Sequence, residues 1–176
     1  MLTLIKRCAH FVDGYKSYCQ EAYDRHVIYF VPTNPALIDD NWFNRTKDWY
    51  DKKETGQTPG QPVGFHYWAV DGEEFIGEFQ LRTQLTDEIM TGIGSIGYAV
   101  RVSMQGRGYG TEILRQGLSI AKEHGMQRVL LNIIETNTVS AHVCEKLGGK
   151  LMDTIQAVNP AEGAHRMRRY WIELCK

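Results

Sequence analysis

The sequence predicts an α/β (α+β) fold: a mixed, mostly antiparallel central sheet with helices on both faces, in the order β-α-α-β-β-β-α-β-α-β-β. Three observations predict it. Ile96 to Val102 is an apolar, β-branched run. It passes through the glycine-punctuated turn Gln105 to Gly110 into helical spacing at Ile113, Leu114, Gly117, Leu118 and Ala121. Phe65 to Val70 and Phe75 to Arg82 are two strand-like runs joined at Asp71-Gly72, a hairpin signal. Val129 to Ile134 is almost continuously apolar, as in a strand covered on both faces. At 176 residues the chain reads as one domain, residues 1–176, long enough to bury a core.

The other elements follow in order. Leu2 to Cys8 is a short strand. Phe11, Tyr15, Tyr18, Cys19 and Ala22 share one face of a helix running to about Arg25. Pro32 and Pro35 interrupt the pattern, and a second helix covers Ala36 to Lys53. Lys52 to Gly64, rich in turn residues, is a loop, and polar Gln84 to Gly94 is another. Gly125 stops the helix that follows the central strand. Asn137 to Leu147 is a short helix ended by Gly148-Gly149, and strands at Lys150 to Val158 and His165 to Leu174 close the chain.

Composition narrows the function classes. With 43% hydrophobic and 23% charged residues this is ordinary soluble globular material. A net charge of −1 gives no reason to expect nucleic acid or a membrane surface as partner. The apolar run at Met1 to His10 is too short for a signal peptide, no run reaches transmembrane length, and the four cysteines show no CxxC pair. A cytoplasmic protein with reduced thiols and no metal is the reading these features give.

The turn after the central strand carries the chemistry. Three glycines at a strand-to-helix junction leave helix-start amides without partners and let them approach a ligand with no Cβ in the way. The helix dipole there favours an anion. The stretch is built to hold a phosphate. A P-loop would need a lysine before Thr111, and the literal G-x-G-x-x-G at Gly92 to Gly97 precedes a strand, so neither nucleotide motif applies.

What remains is Gln105-x-x-Gly108-x-Gly110, which resembles the [Gln/Arg]-x-x-Gly-x-[Gly/Ala] signature of the GNAT superfamily of acyl-CoA-dependent N-acetyltransferases. A second segment, Asn137-Thr138-Val139-Ser140 through Glu145-Lys146-Leu147-Gly148, is similar to that family's N-x-x-S…E-K-x-G segment. Ile96-Gly97-Tyr98-Ala99-Val100-Arg101 and Arg169-Tyr170-Trp171-Ile172 resemble a branch with no well-defined substrate class. The resemblance implies acetyl-CoA as cosubstrate, its pyrophosphate on the main chain of Gly106, Arg107, Gly108, Tyr109, Gly110 and Thr111. It also implies pantetheine paired with the backbone of Tyr98 and Val100, where the central strand parts from its parallel neighbour Val129 to Ile134, and a contact from Asn137, which doubles as a helix cap.

Catalysis is where the sequence departs from the family. Cys144 stands where a tyrosine often protonates the leaving thiolate; a thiol can donate a proton there, or simply pack. Asn132 stands where some members carry a glutamate base. Glu78, in the middle of an apolar strand, is the candidate base, or else the partner of Arg82 or Arg101 in an ion pair. Glu135, His66 and His142 are secondary candidates. The resemblance implies an N-acetyltransferase acylating a primary amine of a small molecule or peptide by direct transfer in a ternary complex. The alternative is a CoA-binding module without transferase activity. The acceptor would lie against Trp42 to Tyr50 and the two loops, with Asp39, Asp40, Asp48, Asp87 and Glu88 available to attract a cation. The tryptophans at 42 and 49 would suit either that pocket or a homodimer interface.

Overall fold

In a computed structural model that describes residues 1–27, 34–159 and 163–174, the chain has the expected α/β build of antiparallel strands with helices on both faces, the strands falling into two sheets. Pro32 and Cys175 lie outside the described residues. The first sheet runs β1 (Leu2–Lys6), β2 (Gly64–Asp71), β3 (Glu74–Arg82) and β4 (Ile96–Val100), in that order across the sheet. The second places β7 (Gly163–Glu173) between β5 (Arg128–Ile134) and β6 (Lys150–Asn159).

Helices α1 (Val12–Asp24) and α2 (Asp40–Glu54) cover one face of the first sheet. On the opposite face α3 (Tyr109–Glu123) packs against β1, β3 and β4, and α4 (Thr138–Lys146) sits beside α3 and β5. Two cores result. Tyr15, Tyr18, Cys19, Phe43, Trp68 and Phe75 pack under α1 and α2, whereas Phe79, Leu81, Ile113, Leu114, Leu131 and Cys144 pack under α3 and α4. α1 turns Val12, Tyr15, Tyr18, Cys19 and Ala22 inward, the face its periodicity predicts.

The second helix starts later than its apolar pattern suggests. Pro35–Leu37 form a short 3-10 turn, and α2 begins only where Asp39 caps it, its Oδ1 accepting from Trp42 N at 2.6 Å. The Gln84 to Gly94 loop contains one π-helical turn at Ile89–Ile93, with Ile89 buried. Polar spacing hid that turn because tertiary contacts make it: Asn132 Nδ2 donates to Gly92 O at 2.9 Å and Met90 O at 3.2 Å.

β4 and β5 are neighbours without being paired strands. Ser95 ties them, its amide donating to Leu130 O at 2.7 Å and its Oγ accepting from Leu130 N at 3.1 Å. Beyond that point the two strands belong to different sheets, so a gap opens along β4 toward α3.

Candidate functional site

Ladder alternation decides which peptide groups line the gap. Arg82 N donates to Ser95 O and Arg101 N donates to Ile76 O, each at 2.8 Å. The Ser95 carbonyl, the peptide groups of Gly97 and Ala99 and the Arg101 amide therefore face β3, and Ile96, Tyr98 and Val100 turn their peptide groups the other way, toward β5. The Val100 carbonyl accepts from Gln105 Nε2 at 3.2 Å. Tyr98 and Val100, the two residues expected to pair with pantetheine, lie along this edge.

At the far end of β4 the chain passes through a 3-10 turn, Val102–Met104, into the glycine turn. Gly106 and Gly108 take φ of 76° and 84°, a region closed to most side chains, and no heavy atom lies within 4 Å of where a Cβ would stand. Gly108 is the N-cap of α3 and provides no side-chain cap. As a consequence the amides of Gly106, Arg107, Gly108, Tyr109, Gly110 and Thr111 donate to no protein acceptor among the described residues. Tyr109 anchors this helix start through its hydroxyl, which donates to Asp71 Oδ2 at 3.0 Å. Arg107 is exposed and joins no ion pair among the described residues.

The α3/α4 side of the gap holds Tyr98, Asn137 and Cys144. Asn137 Oδ1 caps α4 by accepting from Ser140 N at 3.0 Å. The Tyr98 hydroxyl is buried without a hydrogen-bond partner among the described residues, and burial pushes it up to about 12, with the nearby Ser140 side chain opposing the rise. Cys144 is fully buried, and burial likewise raises its thiol to about 12.

On the α1/α2 side Glu78 is fully buried and pairs with neither Arg82 nor Arg101. Tyr18 Oη donates to its Oε1 at 2.9 Å, and His66 Nε2 lies 2.9 Å from its Oε2. Arg7, stacked among Tyr15, Trp42, Tyr50 and Trp68, lies 3.5 Å from His66 Nδ1. A guanidinium only donates, so Nδ1 accepts and the Nε2 proton faces Glu78. Burial lowers the His66 pKa, so the ring sits neutral in this chain of contacts. Arg101 instead binds Glu21, 2.6 Å from Oε2.

The remaining sequence candidates are scattered. Glu135 pairs with Arg166 at 3.3 Å, and His142 is exposed. Asp39 is spent on its cap and Asp48 on Lys52, while Asp87 and Glu88 line an open cleft with Gly60, Gln61, Pro62 and Thr86. Trp42 stacks on Tyr15 at 5.2 Å as part of the core, and Trp49 stays 41% exposed. Sequence reasoning missed Arg7 and Tyr18. The available signal was weak: a cation just after an amphipathic strand, and a tyrosine on a buried helix face.

Among the described residues no helix is long and apolar enough to cross a membrane, and no group of three metal-ligating side chains converges.

The sequence profile of the acetyltransferase (GNAT) domain matches residues 10–150. No curated protein matches the chain in sequence. Among solved structures, the microcin C7 self-immunity acetyltransferase MccE, in complex with acetyl-CoA and AMP, superposes with a TM-score of 0.73 at 12% identity, over 98% of this chain and 92% of that one. RimL, a ribosomal L7/L12 α-N-protein acetyltransferase in complex with coenzyme A, gives 0.71 at 15% identity over 98% and 93%. The putative acetyltransferase yncA from Salmonella typhimurium, with its cofactor acetyl-CoA, gives 0.66 at 14% over 99% and 95%.

Proposed function

This chain belongs to the GNAT acetyltransferase family, and on that premise we propose that it transfers an acetyl group from acetyl-CoA to a primary amine of a small molecule or peptide, directly, in a ternary complex. One observation carries the reading: the amides of Gly106 to Thr111 have no protein acceptor among the described residues and stand at the open end of the gap beside β4. The residues present fit the cosubstrate. A pyrophosphate would take the turn amides at the positive end of α3, and a pantetheine amide would pair with the Tyr98 peptide group as an added strand. Acetyl-CoA, when bound, supplies a thioester already activated toward nitrogen, so alignment of the amine provides much of the rate.

The carbon–nitrogen bond forms as the carbon–sulfur bond breaks, and the nitrogen must shed a proton. In this reading Glu78 is the base at one remove. Its oxygens are enclosed by Tyr18 and His66, so the proton passes through the His66 ring, one nitrogen taking it as the other gives its own to Glu78, and that ring lines a cleft with Gln80. Cys144 fits the other end poorly as an acid: a thiol near 12 does not hand its proton to a CoA thiolate of ordinary pKa about 8.5. Its part, shared with Tyr98, is to stand protonated beside the sulfur and stabilise the thiolate, which takes its proton from water.

The test combines calorimetric titration with CoA and an assay of thiol release from acetyl-CoA against a panel of amines. Saturable CoA binding with amine-dependent thiol release is expected; absence of CoA binding overturns the reading. Binding without release from any amine favours the second reading, a CoA-binding module, for which the enclosure of Glu78 and Cys144 speaks.

A further inference from the structure

Two cations line one cleft beneath α2, Arg82 and Lys53, the latter with its Nζ also 4.9 Å from the centre of the Trp49 ring. Arg82 is 8% exposed, and its guanidinium donates only to neutral acceptors, Gln80 Oε1 at 2.7 Å and Gly94 O at 3.4 Å. Lys53 comes down from the last turn of α2. Among the described residues neither joins an ion pair. Both side-chain stems pass over Gly64, where a Cβ would meet Leu81 O at 3.1 Å, Lys53 Cε at 3.3 Å and Arg82 Cγ at 3.8 Å. Burial holds Arg82 down to about 10, and Lys53 is lowered by burial and then by Arg82, with Glu88 pulling the other way from beyond ion-pair distance. A buried cation without a counter-charge is costly to keep, and a fold that places a second beside it gains by having an anion between them.

The position of the pair suggests which anion. Lys53, Arg82, Tyr50, His66 and Gln80 line one cleft. Gln80 faces Gly97 of β4, and the Arg82 amide donates to Ser95, the residue that roots the gap. The cleft thus opens one strand away from the end of the gap opposite the glycine turn. In the acetyltransferase reading that end receives the thioester and the amine.

We propose that Arg82 and Lys53 form an anion-binding subsite of the acceptor pocket, so that the amine this protein acetylates carries a carboxylate or phosphate group of its own. The proposal rests on the acetyltransferase reading and narrows its substrate class. Arginine supplies a planar fork suited to either oxyanion, and the half-buried lysine adds a mobile point charge at the rim.

The experiment uses acceptor pairs that differ only in the anion: an amino acid against its amide, and 2-aminoethylphosphonate against ethanolamine. Specificity constants are measured on wild type, Lys53→Glu and Arg82→Gln saturated with acetyl-CoA. In parallel, inorganic phosphate is titrated into the CoA-bound protein and followed by the amide resonances of Gly64 and Gln80. The anionic member of one pair should win by about tenfold or more, and which pair wins separates carboxylate from phosphate. Lys53→Glu should erase that preference through KM and abolish the phosphate shifts, with CoA affinity unchanged. Because Lys53 stands on a helix surface, this variant keeps the test valid even if Arg82→Gln does not fold. Equal use of charged and neutral acceptors, or phosphate shifts that are absent or survive Lys53→Glu, overturns the subsite while CoA binding keeps the acetyltransferase reading standing. Loss of CoA binding in wild type overturns both.

Discussion

On the α3 side of β4, the amides of Gly106 to Thr111 donate to nothing among the described residues, and almost no side chain takes part. On the α1/α2 side, Tyr18, Glu78, His66 and Arg7 are buried side chains whose contacts run from one to the next, drawn from α1, β3, β2 and the residue after β1. The first region does its work with peptide groups and needs only the right backbone conformation. The second works with charges held out of water, where each group depends on the partner beside it. The difference says which substitutions each region tolerates. The turn should accept changes of side chain and reject changes of φ; the buried network should accept isosteres and reject deletions.

The largest expected effect breaks the second half of that comparison. Glu78→Ala strands the Tyr18 hydroxyl, the His66 Nε2 proton and the Arg7 charge in a dry core, and removing one member of a buried charged set costs about 3–5 kcal/mol. Denaturant unfolding should show that loss, or the variant will not accumulate folded. Glu78→Gln keeps the shape and one accepting oxygen, so it should fold with a far smaller loss. Its kcat should drop about a hundredfold if Glu78 takes the amine proton. Unchanged kcat in the folded glutamine variant would reduce the network to a structural role.

The turn should behave in the opposite way. Gly108 sits at φ 84° with open space where a Cβ would go, so Gly108→Val harms nothing by collision and everything by conformation. Forcing a β-branched residue there misaims the amides of the first turn of α3, and CoA affinity should fall about a hundredfold while unfolding changes little by comparison. Arg107→Ala, one residue away, should weaken CoA less than about fivefold, because the exposed side chain adds only a screened charge to the amides. Calorimetric titration of both variants decides the matter; equal losses would mean that the cation and not the backbone holds the phosphates.

Legibility follows the same division. The turn was readable because backbone chemistry writes itself into glycine spacing, and Gly106, Gly108 and Gly110 fall within five consecutive residues. The element order was readable from period and punctuation, down to the Asn137 cap. The network was not, because sequence alternation offered Glu78 only its neighbours on β3 and the nearby Arg101. What assigns Glu78 to His66 is the β2–β3 register, which sets Trp68 opposite Glu78 and His66 opposite Gln80, one step along the same face. What assigns it to Tyr18 is the packing of α1 across that face. Neither leaves a local mark. The π-helical turn at Ile89–Ile93 escaped for the same reason, since the Asn132 side chain that braces it comes from a strand about 40 residues later.

The smallest effect tests whether the network stays neutral at His66. Its pKa is lowered in the fold, chiefly by burial, from an ordinary value of 6.5. Below that value the unfolded chain binds a proton that the folded chain refuses, so the unfolded state holds more protons and stability rises with pH across the window. Stability is therefore whole above about pH 6.5 and is lost as the solution is acidified below it. One proton sets an upper limit on the slope of about 1.4 kcal/mol per pH unit. The slope should end where His66 finally charges beside Glu78. Thermal unfolding of wild type and His66→Gln between pH 8 and pH 5 isolates this contribution, because the other histidines are common to both. Wild type should lose Tm on acidification faster than the variant, which keeps a donor for Glu78 and has no ring to titrate. Parallel curves would mean that His66 already carries a proton in the folded protein, paired with Glu78 as an ion pair, and the α1/α2 side would then be a charged core and not a relay of neutral hydrogen bonds.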